Sequence, residues 1–110
     1  MLTGSLYMAQ RLTALLMAPL VIGHLAVMIY AVQGGLSVAE ILGRTRGSFA
    51  WFAFYGLFVG AVSIHAAIGL RVVTHELLGL RGAALSLFTW GVGIVLLAMG
   101  ARALWAVTFA

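Results

Sequence analysis

Three stretches free of Asp, Glu, Lys and Arg limit what this chain can fold into. They run from Leu12 to Ala39, from Gly47 to Leu70 and from Gly82 to Ala101. Each contains the roughly 20 apolar residues that an α-helix needs to cross about 30 Å of hydrocarbon. With 65% of its 110 residues hydrophobic, 7% charged and a mean hydropathy of +1.20, the chain has too little polar surface to cover a water-facing globule. The sequence therefore predicts an all-α integral membrane fold of one domain, residues 1–110. Three transmembrane helices fall at about residues 12–32, 49–74 and 83–109, with a short interfacial helix between the first two. Three helices hide little surface from lipid, so a deeply buried site would be completed by another chain. The sequence reads as a subunit.

The formal charge of +4 comes from six arginines scattered singly or in pairs, so no basic stripe for nucleic acid exists. Arg11, Arg44, Arg46, Arg71 and Arg81 fall at span ends, and Arg102 lies where it can snorkel to the interface. If the spans alternate, Arg11, Arg71 and Arg81 share the side of the N-terminus and Arg44, Arg46 and Arg102 the other. That even split gives the positive-inside rule nothing to act on. The absence of cysteine excludes disulfides, thiolate metal sites and Cys-ligated clusters. The segment before Arg11 lacks a clear small-residue cleavage site, which favours a retained first helix over a signal peptide.

The first helix is expected to start near Thr3 or Ser5 and to bend at Pro19, which removes an amide hydrogen and crowds the carbonyl of Leu15. It should end near Val32, before Gln33-Gly34-Gly35. Ser37-Val-Ala-Glu40 has the form of a capping box and predicts a short interfacial helix over Ser37 to Leu42. In the second span, Gly56, Gly60, Ser63 and Gly69 form a small-xxx-small pattern that lets a helix or a flat ligand come close. The third span has no histidine and no acid, and reads as scaffold.

Two imidazoles, His24 and His65, lie inside apolar runs, where a polar ring must find a partner. His24 is 13 residues past Arg11, roughly 20 Å into the bilayer, whereas His65 is six residues before Arg71, roughly 9 Å in. Two axial imidazoles on one iron must converge, and a gap of about 10 Å prevents it. They would serve two haems stacked across the membrane, or only one of them binds haem. For His24, a hydrogen-bonded bridge between helices stands beside ligation. For His65 ligation is favoured, since Ala61, Ala66, Ala67 and Gly69 leave room for a macrocycle and Arg71 can meet a propionate. His75, beside Glu76, reads as a solvated or hydrogen-bonded surface residue.

Gln10-Arg11-Leu12-Thr13-Ala14 at the entry to the first span, His24 within it, and His65-x-x-x-Gly69-x-Arg71 followed by Glu76 at the end of the second resemble a known family. These residues, in this order and spacing, are similar to those of the cytochrome b membrane-anchor subunits of succinate dehydrogenase and fumarate reductase, respiratory complex II. The resemblance covers the whole chain. It implies an anchor in an energy-transducing membrane, such as the bacterial inner membrane, that holds a flavoprotein and an iron-sulfur subunit. A second anchor subunit or another copy of this chain would pack beside it in the lipid. It implies haem b, one or two shared with that partner, and quinone as substrate, with no succinate chemistry in this chain itself. His65 would be an axial ligand and so a metal-binding residue, His24 the first-helix ligand of two-haem members, and Arg71 and Arg11 neighbours of the propionates and the quinone. Ser5, Tyr7 and Thr13 would join Arg11 around the quinone. The chain has Tyr7 where relatives place a serine, Gln10 where some have histidine, and Glu76 where aspartate is common. Two rivals are a haem-free anchor of the same complex and a small transporter or channel subunit using His24 and His65 as proton relays. The spans lack an embedded carboxylate, which weighs against the second.

Overall fold

The computed structural model describes residues 3–109. Its helices are α1 (Gly4–Gly34), α2 (Val38–Thr45), α3 (Phe49–Leu78) and α4 (Gly82–Thr108). Three of them, α1, α3 and α4, are long and apolar enough to cross a membrane. At 31, 30 and 27 residues, each exceeds the hydrocarbon thickness by several turns, which leaves its ends at headgroup depth. The protein is an integral membrane protein of three spans with one short helix between the first two.

The helix ends follow from local chemistry. The Thr3 hydroxyl accepts from the Leu6 amide at 3.2 Å and starts α1. The predicted capping box is present: Ser37 Oγ accepts from the Glu40 amide, and the Ser37 amide donates to Glu40 Oε2, both at 3.2 Å. Ser48 caps α3 through the Trp51 amide. Two of the long helices, α1 and α3, outrun their predicted ends. Helix α1 stops only at Gly35, with φ of 114°, and α3 continues to Gly79, whose left-handed φ of 68° lets its amide reach the His75 carbonyl. This places His75 and Glu76 in the last turn of α3, and His75 Nδ1 donates to the Leu80 carbonyl at 3.0 Å. Helix α2 likewise passes Leu42 to Thr45, so the turn into α3 shrinks to Arg46, Gly47 and Ser48.

Helix α3 is central, with α1 and α4 packed against it. Between the helices, small and hydroxylated side chains are packed beside a few large apolar ones, Leu20, Ile68, Leu85 and Leu104. Ser63, Thr13, Thr74 and Thr89 are each under 9% exposed, whereas Leu15 is 73% and Leu87 74% exposed. In lipid, large apolar side chains gain nothing by leaving the surface, so close backbone approach decides what is buried. Three of these hydroxyls are satisfied within their own helices: Thr13 donates to the Ala9 carbonyl, Ser63 to that of Val59 and Thr89 to that of Leu85. The glycines of the small-residue pattern serve different neighbours. Gly56 faces Leu104 of α4, Gly69 faces Gln10 of α1, and Gly60 opens onto unfilled space. At the end of the bundle that holds α2, Thr45 Oγ1 donates to the Val107 carbonyl and the Gly47 amide to the Thr108 carbonyl, both at 2.6 Å.

Candidate functional site

Antiparallel packing of α1 on α3 sets a register that positions every candidate residue. Gln10 lies opposite Gly69, Thr13 opposite His65, and Gly23 opposite Phe54, whose ring a Cβ on Gly23 would meet at 3.2 Å. Arg11, Arg71, His75 and Arg81 therefore share one end of the bundle, and Arg44 and Arg46 lie at the other.

His65 is half-buried and turned toward α1, with its Nδ1 3.2 Å from Thr13 Oγ1. That is the ring's one hydrogen bond among the described residues. Thr13, at 8% exposure, is covered by the α1–α3 contact. Gly69, one turn on, leaves Gln10 Nε2 3.6 Å from where a Cβ would stand. The Gln10 side-chain oxygen is buried with no hydrogen-bond partner.

His24 is held differently. Its ring makes edge contacts with Phe58, 5.2 Å between centroids, and Tyr55, 6.2 Å, while its Nδ1 is buried with no hydrogen-bond partner. Trp51 stacks on Tyr55 at 5.7 Å, so the imidazole borders a continuous aromatic cluster. His24 is thus level with Tyr55 and Phe58, and His65 with Thr13. Eleven residues of α1 separate the two levels, about 16 Å of helical rise rather than the roughly 10 Å expected, because Arg71 stands about 9 Å beyond the level of His65 and Arg11 only about 3 Å beyond it. The two rings cannot meet on one metal ion. Among the described residues no three His, Asp or Glu side chains converge as a metal site.

The arginines divide by environment. Arg11 is exposed, donates to the Tyr7 hydroxyl at 3.3 Å and lies 5.8 Å from the centre of that ring. Ser5 is exposed on the same segment. Arg71 is partly buried, donates to Ser86 of α4 at 3.3 Å, and has its Nε buried without a partner. It stands at one end of an apolar groove of about 540 Å³ along α3, bounded by Ala9 and Leu6 on α1 and by Trp90 and Gly93 on α4. Gly60 opens into this groove, but His65 does not line it.

The sequence placed His24, His65, Arg11 and Arg71 by depth alone. The structure joins Thr13 to His65, Ser86 to Arg71, and Tyr55 and Phe58 to His24. None of these pairings has a linear signature, because each depends on the angular register between helices. Helix α4, which reads as scaffold, supplies Ser86.

These features define an integral membrane helical subunit with Arg11, Arg71 and Arg81 at one end of the bundle and two half-buried imidazoles at different depths. The family model described as succinate dehydrogenase/fumarate reductase transmembrane subunit matches residues 1–101, and the chain belongs to that family. It is a membrane subunit of a succinate dehydrogenase/fumarate reductase complex, one chain among several. No curated relative and no solved structure matches it.

Proposed function

We propose that this chain carries haem b for its complex, with His65 as a ligand that would hold it, and forms part of the quinone site at the end of the bundle marked by Arg11. An iron-sulfur subunit and a flavoprotein subunit would dock at that end. A second anchor subunit, or another copy of this chain, would supply the second protein ligand. The observation that carries this reading is His65 itself: a half-buried imidazole with Nδ1 engaged and no protein hydrogen bond at Nε2 among the described residues. A bound haem supplies one-electron transfer.

This chain's residues do the rest. Arg71 offers a buried, unpartnered Nε and a guanidinium oriented by Ser86, a donor suited to a carboxylate such as a propionate. Arg11, steadied by Tyr7, presents a fixed positive charge near Ser5, and such a charge stabilises a quinone oxygen as it gains negative charge on reduction. His24, about 16 Å of helical rise from the level of His65, is proposed as the ligand of a second haem; its orphaned Nδ1 supports a missing partner.

The test is a reduced-minus-oxidised pyridine haemochrome spectrum of the purified complex, with haem counted per flavin. Two haems b per flavin are expected, falling by one in His65→Ala and by one in His24→Ala. One haem, lost in His65→Ala alone, returns His24 to helix packing. No haem overturns the cytochrome reading and leaves a structural anchor.

A further inference from the structure

We infer that Thr13 is a positioning residue for His65, fixing the tautomer and rotation of the imidazole so that Nε2 is its basic nitrogen. This rests on the reading of His65 as a haem ligand.

The available protons fix the tautomer. Thr13 Oγ1 lies 2.8 Å from the Ala9 carbonyl, 3.1 Å from the Gln10 carbonyl and 3.2 Å from His65 Nδ1. A hydroxyl has one proton, and carbonyl oxygens only accept. The Ala9 carbonyl is the nearest of the three acceptors, so the proton is assigned to α1, and toward His65 the oxygen then accepts. His65 Nδ1 must then carry the hydrogen. A neutral imidazole has a single N–H, which leaves Nε2 with its lone pair free. A metal-bound histidine ordinarily needs this arrangement, with the far N–H anchored and the ligating nitrogen bare.

Thr13 is also rigidly held. Its χ1 is restricted by β-branching and its hydroxyl is tied to its own helix, so it is a fixed acceptor. The same bonds make it a poor donor to quinone. At 8% exposure, with its proton engaged, it has none to offer a quinone oxygen. Arg11, two residues earlier and exposed, has several.

The test uses the whole complex with Thr13→Val, which keeps the shape and removes the acceptor, and Thr13→Ser, which restores it. Haem per flavin, haem midpoint potential, the low-temperature α-band and quinone KM are measured beside His65→Ala. In Thr13→Val, haem affinity should fall by about 10- to 100-fold. The midpoint potential should rise, because an imidazole without an acceptor at Nδ1 is a weaker donor and stabilises the oxidised metal less. Thr13→Ser should restore both. Should Thr13→Val fail to assemble, Thr13→Ala is read in the same way. Unchanged haem affinity, potential and α-band overturn the inference, as does an effect confined to quinone KM. If His65→Ala removes a haem while Thr13→Val is spectrally silent, only the role of Thr13 falls. If His65→Ala retains the full haem complement, the ligand reading itself falls.

Discussion

Gly100 gives the sharpest test of how this bundle holds together. A Cβ at this position would stand 2.5 Å from Val59 Cγ1, 3.0 Å from Cγ2 and 3.3 Å from Cβ. Val59 cannot swing clear, since both its methyls and its own Cβ are involved and its rotamer in a helix is nearly fixed. In Gly100→Ala, α4 must move away from α3 by roughly 1 Å, and overpacking of this kind costs about 1–3 kcal/mol. Glycine to alanine in a helix also brings about 1 kcal/mol of intrinsic stabilisation, which would mask part of the effect. Gly91 isolates the steric part, because a Cβ there meets nothing within 4 Å. Gly91→Ala should therefore stabilise, and the difference between the two variants should be about 1–3 kcal/mol, or about 5- to 150-fold in the unfolding constant. Steric-trap unfolding in bicelles, with one tag on α3 and one on α4, reads this difference. Val59→Ala should recover most of the loss in Gly100→Ala, as expected of residues in direct contact. A Gly100→Ala variant as stable as Gly91→Ala, or a Val59→Ala change that gives no rescue, would refute a steric contact between α3 and α4 at this point.

Other parts of the chain allow independent checks. Ser37→Ala removes one half of the capping box and should cost about 1 kcal/mol locally, seen as faster amide exchange across α2 with α3 unchanged. Thr45→Val deletes the bond to the Val107 carbonyl and should release α2 from the end of α4 at a cost of about 1 kcal/mol, detected as increased proteolysis near Arg46. Arg11→Gln should reduce quinone turnover by roughly 10-fold or more, the scale for losing a charge that stabilises a developing anion, with the haem spectrum unaltered. An altered spectrum in Arg11→Gln would place that side chain at haem instead.

Much of this protein is legible in its sequence. Three charge-free runs determined three spans, because a bilayer tests each segment separately for length and apolarity. Ser37 and Glu40 specified the cap of α2, a contact between residues three apart. The different depths of His24 and His65 also followed from sequence, because helical rise is constant along α1 and α3. The boundaries were less legible: α3 passes Thr74 because Gly79 can adopt a left-handed conformation, and that choice depends on the chain beyond the apolar run.

What only the tertiary structure decided is which side chains face one another. Helix rotation about its own axis is unspecified when all faces are apolar, since lipid imposes no inside and outside on Leu or Ile. The glycines and hydroxyls that permit close approach select the rotation, and they act between helices. Thus Gly56, Gly60 and Gly69, which form one pattern in the sequence, are assigned to α4, to an open groove and to α1. The same rotation brings Thr13 to His65, and no property of either residue alone could have paired them across 52 positions of sequence.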